Sequence, residues 1–316
     1  MYILVTARMK TYLREQLVEK FPEATFDFKY PITEAEPHLP KADVIVTYGE
    51  DLTNEHIEQA ENLKWIMVVS AGLDQMPFEK IIENNILVTN ARGIHKIQMS
   101  EYVIGMLLQV YRNLPTFLEN QREHVYDKRV KIEEISGKTM LIAGTGAIGQ
   151  ETARKAKAFD MKTIGVSRSG DKKDYFDESY TNDQLNEKLP EADFVVNVLP
   201  STPNTDKMFN EKHFKVMKED AIFLNMGRGT TVNEDDLIKA LKENQIRHAI
   251  LDVFEVEPLP EDSPLWDLEN VTLTPHNSAV TSNYMPRALA IFEDNLKQFL
   301  KGEQPEVNVI DPKRGY

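Results

Sequence analysis

Three residues far apart in the chain carry groups that act together on a carbonyl: Arg228 in NMGRG, Glu257 in LDVFEVEPLP and His276 in LTPHNSA. Each follows an apolar run that reads as a strand, which places each on a loop at a strand's carboxyl end. A guanidinium presents a planar donor fork to a carboxylate and polarises the adjoining carbonyl. A histidine beside a carboxylate delivers the proton to a forming alkoxide, because the neighbouring negative charge favours the imidazolium. Reduction of a 2-oxo acid, or the reverse oxidation, needs both, together with a source of hydride.

That source is implied by residues 139–149, TMLIAGTGAIG. Four apolar residues run into Gly144-x-Gly146-x-x-Gly149, and the helix-like QETARKAKAF follows. Strand, glycine turn and helix in this order form the context in which the motif binds a dinucleotide. The turn needs Gly144, the pyrophosphate approaches at Gly146, and helix and strand pack closely at Gly149. The helix start adds free N–H groups and a favourable dipole. A dinucleotide unit selective for NAD usually ends its second strand in an acid that holds the ribose hydroxyls. Here that strand ends GVSRSG, with no acid between Asp160 and Asp171. Ser167, Arg168 and Ser169 stand in its place, and Arg168 suits a 2′-phosphate. NADP(H) is therefore the preferred cofactor expected, with NAD(H) also accommodated.

The elements that position these groups follow from periodicity. Strands are expected at 2–6, 24–28, 43–47, 65–69 and 86–89, with helices at 10–20 and 53–60. On the first helix Tyr12, Leu13, Gln16 and Leu17 lie near one face. A long helix is expected from Met99 to Leu118, capped by Ser100 and disturbed at Pro115. Further strands are expected at 162–166, 193–199, 221–225, 248–253 and 271–274. Helices are expected at 181–188, 210–217, 233–243 and 284–300. The fold class is α/β: a Rossmann doubly wound parallel-sheet domain, 99–284, inserted into a smaller flavodoxin-like α/β substrate domain, 1–98 and 285–316.

Composition narrows the function classes. The chain has 316 residues, 41% of them hydrophobic, and no apolar run approaches the roughly 20 residues of a membrane span. With 37 basic against 51 acidic residues its net charge is −14, which disfavours a general nucleic-acid role. There is no cysteine, hence no disulfide, thiol nucleophile or thiolate metal site. No HExxH spacing occurs and no metal site is expected. MYILVTARMK has no basic leader or cleavage pattern, and a cytoplasmic protein is the expectation. A short-chain dehydrogenase would want Tyr-x-x-x-Lys, and no tyrosine here has a lysine four residues later. The other histidines read as structural, although His95 in NARGIHK lies at the domain crossing.

GTGAIG, VLPSTPNT, NMGRGTTVNEDDLIKAL, LDVFEVEPLP and TPHNSA, in this order and spacing, resemble the D-isomer-specific 2-hydroxyacid dehydrogenases. The resemblance covers nearly the whole chain. It implies that Arg228 binds substrate, that Glu257 supports the catalytic histidine, and that His276 is the acid/base; Glu255 is out of register. VSAGLD resembles the loop whose amides bind the substrate carboxylate, at Ala71 and Gly72. Asp252 would hold the nicotinamide amide, assisted by the backbone at Met226 and Gly227. Ala147 and Ile148 would face the pyrophosphate, and Leu199, Pro200 and Ser201 would border the adenosine side. The family also implies a homodimer acting on a small 2-oxo or 2-hydroxy acid, while charge and the lack of a long apolar run lead to the expectation of no nucleic-acid or membrane partner. The alternative reading is a cofactor-sensing, corepressor-like binding protein on the same fold. The loops around Tyr48, Leu73 and Met76, with Tyr284 to Arg287, are candidates to shape the substrate pocket.

Overall fold

Short runs of branched and aromatic apolar residues separated by amphipathic stretches form parallel strands covered by helices on both faces. The computed structural model describes residues 1–73 and 75–312 and divides into two units, Met1–Ile94 with Thr281–Tyr316, and His95–Val280. In chain order the first unit contributes β1 (Tyr2–Val5), α1 (Thr11–Lys20), β2 (Thr25–Phe28), α2 (Ile32–Ala35) and β3 (Val44–Thr47). It continues with α3 (Asn54–Gln59), β4 (Trp65–Val68), α4 (Phe78–Glu83) and β5 (Leu87–Asn90). The second unit opens with α5 (Lys96–Tyr111), α6 (Leu114–Arg122), β6 (Thr139–Ala143), α7 (Ala147–Lys157), β7 (Lys162–Ser167) and β8 (Glu178–Thr181). It closes with α8 (Leu185–Lys188), β9 (Phe194–Asn197), α9 (Glu211–Phe214), β10 (Ile222–Asn225), α10 (Glu234–Lys242), β11 (His248–Leu251) and β12 (Val271–Leu273). The last helix, α11 (Tyr284–Leu300), returns to the first unit.

The first sheet runs β2-β1-β3-β4-β5 and every pair is parallel. Strand alternation sends Ile3, Val5 and Val46 to one face, against Leu17 of α1 and Phe292 of α11, and Leu4 and Ile45 to the other. Trp65 stacks on Phe292 at 5.4 Å between ring centroids, and its Nε1 donates to Thr89 Oγ1 at 2.9 Å. The second sheet runs β12-β11-β10-β9-β6-β7-β8, again all parallel. Its order reverses between β6 and β9, which sets a crevice beyond their carboxyl ends. This doubly wound sheet is inserted between the two segments of the flavodoxin-like unit.

Several sequence expectations are corrected. The long helix expected at 99–118 is two helices, because Asn113 at φ 53 breaks the run and Pro115 sits in the first turn of α6, where its missing N–H costs nothing. Ser100 is not a cap. It lies within α5, its hydroxyl donating to Lys96 O and accepting from Lys155 Nζ at 2.8 Å. On α1 only Leu13 and Leu17 are buried, while Tyr12 and Gln16 are exposed. β8, α2 and α4 were not expected. The units divide at Ile94/His95 and Val280/Thr281, four residues before each expected boundary, and α5 begins at Lys96 within the second unit. Residues 313–316 of the expected C-terminal segment lie outside the described residues. Among the described residues no helix is long and apolar enough to cross a membrane, and no group of three or more His, Asp or Glu could hold a metal.

Candidate active site

The glycine loop is built as its residues require. Gly144 has φ +105, and its N–H donates to Val166 O at 2.8 Å. A Cβ on Gly149 would lie 2.0 Å from Gly144 O, so only glycine lets α7 start this close to β6. Gly146 is exposed, and a Cβ there would meet no protein atom within 4 Å, leaving its outer side open to an approaching group. The N–H groups of Ala147 and Ile148, in the first turn of α7, have no carbonyl four residues back to satisfy them. This cradle fits a pyrophosphate.

At the end of β7 the turn is pinned. Gly170 N donates to Ser167 Oγ at 3.3 Å, and Gly170 itself packs on Thr181 of the unexpected β8. Ser169 donates to Asp171 Oδ2 at 2.7 Å, so the nearest acid after the strand is drawn onto a serine. Arg168 projects from this turn, exposed and without an ion pair or hydrogen bond among the described residues.

Across the crevice two asparagines close the strands. Asn197, last in β9, donates to Asn225 Oδ1 at 3.0 Å and Thr231 Oγ1 at 2.7 Å, and its own Oδ1 accepts from Leu199 N. Asn225, last in β10, accepts from Gly227 N and donates to Arg228 O. Pro200 and Ser201 are exposed beyond the buried Leu199, and Met226 is buried beneath. Gly227 lies so close to Leu199 O that a Cβ would stand 2.5 Å from it.

Arg228 is exposed at the end of this network, one guanidinium N–H donating to Gly227 O at 2.9 Å. Thr231 Oγ1 holds the Arg228 carbonyl at 2.6 Å. The following Gly229 is pressed against the next loop, where a Cβ would fall 1.8 Å from Phe254 O. That loop carries Glu257, whose Oε1 accepts from Phe254 N at 3.0 Å and whose Oε2 meets His276 Nδ1 at 2.7 Å. The carboxylate thus fixes the ring and leaves Nε2 for another partner. A cavity of about 580 Å³ adjoins the pair, walled by Phe254, Leu259, Trp266 and Leu273.

The histidine loop is organised by Asp252, which is fully buried. Its carboxylate accepts from Thr274 Oγ1 at 2.6 Å, Asn277 N at 2.9 Å and Ser278 N at 3.0 Å. Its carbonyl accepts from His276 N at 2.8 Å, holding His276 at φ 50. Tyr102 on α5 reaches Thr274, and Gln98 donates to Ala279 O at 3.0 Å. His95 lies in the electrostatic field of Arg228, and burial first, then that cation, lower its basicity.

Ala71 and Gly72 belong to the first unit. Asn90 Nδ2 donates to Ala71 O at 3.0 Å, and Ser70 Oγ lies 3.0 Å from both Gly72 O and Tyr48 O. Sequence reading missed Asn90, Asn197 and Asn225, although each is a polar residue ending an apolar strand, in LVTN, FVVN and IFLN. It also missed Thr274, Tyr102 and the anchoring role of Asp252.

A doubly wound sheet with a glycine cradle, a free arginine after its second strand and a carboxylate-held histidine defines a dinucleotide-dependent oxidoreductase unit. Residues 104–278 match the model of the D-isomer specific 2-hydroxyacid dehydrogenase NAD-binding domain, and the chain belongs to this family. It is 38% identical over 282 residues to a D-3-phosphoglycerate dehydrogenase of Methanocaldococcus jannaschii, matching 86% of this chain and only 52%, about half, of that relative's length. A solved D-isomer specific 2-hydroxyacid dehydrogenase family protein of Aeromonas salmonicida superposes with a TM-score of 0.88 at 36% identity, covering 98% of this chain and 99% of the other. An NADPH-dependent glyoxylate/hydroxypyruvate reductase of Sinorhizobium meliloti, solved with NADP and sulfate, superposes at 0.80 with 28% identity, covering 100% and 99%.

Proposed function

We propose that this chain is an NADPH-preferring reductase of small 2-oxo acids, giving D-2-hydroxy acids. The observation that carries the reading is the His276–Glu257 pair, 2.7 Å apart in the unit that holds the glycine cradle. When bound, the nicotinamide supplies the hydride. By the family resemblance Ala71 and Gly72 bind the substrate carboxylate through their amides, and Arg228 is read as the substrate-binding cation that polarises the carbonyl. His276 gives its proton from Nε2 to the alkoxide oxygen as charge develops there, and Glu257 stabilises the imidazolium before transfer. Asp252 holds the backbone of the histidine loop and borders the nicotinamide amide with Met226 and Gly227. Gly144, Gly146, Ala147, Ile148 and Gly149 receive the pyrophosphate, while Leu199, Pro200 and Ser201 line the adenosine side.

Arg168 supports the NADP preference. It is an exposed, unpaired guanidinium where an acid would repel a 2′-phosphate, and the Sinorhizobium meliloti relative is NADPH-dependent. Ser167 and Ser169 shape the turn that presents it. We further read the protein as a cytoplasmic homodimer. Exposed Leu118 on α6 and Tyr126, 88% exposed just beyond it, support the second part of that reading.

The test is loss of absorbance at 340 nm with purified protein, NADPH or NADH, and glyoxylate, hydroxypyruvate, pyruvate, 2-oxoisocaproate and phenylpyruvate. Turnover favouring NADPH and abolished by His276→Ala is the expected result. Tight cofactor binding without turnover of any 2-oxo acid would move the protein to the cofactor-sensing class.

A further inference from the structure

The first unit has its own topological switch point. Its sheet order, β2-β1-β3-β4-β5, reverses between β1 and β3, and open parallel sheets take ligands beyond the carboxyl ends of such a pair. A cavity of about 270 Å³ lies there, reached by Arg8 and Lys10 after β1, Tyr48 after β3, and Tyr284 and Met285 at the start of α11. That volume is below the roughly 300–1,000 Å³ of sites for drug-sized ligands and suits a few carbons with a terminal anion.

Its charge is out of character for the chain. In a protein of net charge −14, Arg8 and Lys10 are exposed and have no ion-pair partner among the described residues. The phenols stay protonated. Burial raises Tyr48, and burial followed by Tyr48 and Glu50 raises Tyr284 to about 12. Glu50 is thus an acid near Tyr284. The cavity adjoins the loop assigned to the substrate carboxylate, since Ser70 Oγ ties Tyr48 O to Gly72 O at 3.0 Å each. The Tyr48 ring spans from this tie to Arg8 O, 3.3 Å from its hydroxyl.

We propose that this cavity is the subsite for the far end of the substrate, and that Arg8 and Lys10 there pair with a second anionic group, a carboxylate or a phosphate. The inference rests on the reading of Ala71 and Gly72 as the site of the first carboxylate. It makes the preferred substrate a doubly anionic 2-oxo acid rather than glyoxylate or pyruvate. Both cations suit either anion, Arg8 through a planar fork and Lys10 as a point charge.

The experiment compares pairs matched in chain length with the intact protein and NADPH: 2-oxoglutarate against 2-oxovalerate, and 3-phosphohydroxypyruvate against hydroxypyruvate. The anionic member of at least one pair should show a kcat/KM at least tenfold higher, and which pair does so distinguishes carboxylate from phosphate. The double variant Arg8→Gln, Lys10→Gln should lower that ratio at least tenfold, chiefly through KM. Equal or better turnover of the neutral-tailed member, unchanged in the variant, overturns the subsite and leaves the reductase reading standing. If no 2-oxo acid turns over, the reductase reading fails, and the subsite is decided by thermal shift with the same four compounds. A rise in Tm confined to a doubly anionic compound and lost in the variant supports it, and no such rise overturns it.

Discussion

Glu257 is held at both ends. One oxygen accepts from Phe254 N at 3.0 Å while the other meets His276 Nδ1 at 2.7 Å, so a backbone amide fixes the carboxylate that fixes the imidazole. Positioning and charge come from one side chain. Glu257→Gln keeps the size and removes the charge, so kcat should fall roughly 10- to 1,000-fold with KM for NADPH little changed. His276→Ala removes the proton donor and should cost about 100- to 10,000-fold, the usual scale of general acid catalysis. The two variants combined should be little worse than His276→Ala alone, because the glutamate acts through the histidine. Steady-state kinetics of the three variants checks this, and additive losses would separate Glu257 from His276.

Asp252 does its work through backbone donors. Asn277 N, Ser278 N and Thr274 Oγ1 all point at its buried carboxylate. Asp252→Asn turns an acceptor into an amide that faces those donors. Hydrogen bonds to a charged group contribute about 1.5–3 kcal/mol each, so a loss of roughly 2–4 kcal/mol is expected. For a unit of this size that lowers Tm by about 2–4 °C per kcal/mol. Calorimetry should show the drop and kinetics a parallel loss of kcat as the histidine loop loosens. A variant of unchanged Tm with reduced cofactor binding would make Asp252 purely a cofactor contact.

How far the sequence could be read depended on how local the cause was. The glycine loop and the loops carrying Arg228, Glu257 and His276 could be placed because each sits at a fixed offset from an apolar strand, and of these three side chains the structure pairs Glu257 with His276. The strands of both sheets were legible because burial on two faces leaves nearly continuous apolar runs. The break between α5 and α6 was misplaced, since Pro115 marks the region while Asn113 in the left-handed conformation makes the turn. β8 was invisible because ESYT is a half-exposed edge strand with little apolar content. The support under the site was hardest to see. Asp252 meets residues 22 to 26 positions away, and Asn197 meets Thr231 across 34, contacts that exist only once parallel strands are aligned.

Arg168 stands alone on a turn otherwise stitched together by Ser167, Ser169, Gly170 and Asp171. Removing its side chain should leave the fold intact and act on cofactor choice alone. Arg168→Ala should lower the NADPH-to-NADH ratio of kcat/KM about 10- to 100-fold, the worth of one charge-assisted contact. Arg168→Asp should go further by adding repulsion. The ratio measured at 340 nm with one fixed 2-oxo acid is the check, and an unchanged ratio would remove Arg168 from the site.

One buried histidine, His213, and one half-buried histidine, His248, tie stability to pH. Burial lowers both His213 and His248 from the ordinary 6.5 to about 4, with the neighbouring Lys212 and Arg247 adding to the effect. In the unfolded chain each binds a proton near pH 6.5, so between 6.5 and 4 the unfolded state carries more protons than the fold. Stability is therefore full above pH 6.5 and falls as pH drops toward 4, each histidine adding a slope of up to about 1.4 kcal/mol per pH unit. His213 is the cleaner probe, with 6% of its surface exposed and its Nδ1 beside Asn210. Denaturant unfolding at half-unit pH steps should show the decline, and His213→Gln should flatten it while leaving the slope due to His248. An identical slope in the variant would mean that His213 titrates as it does in the unfolded chain.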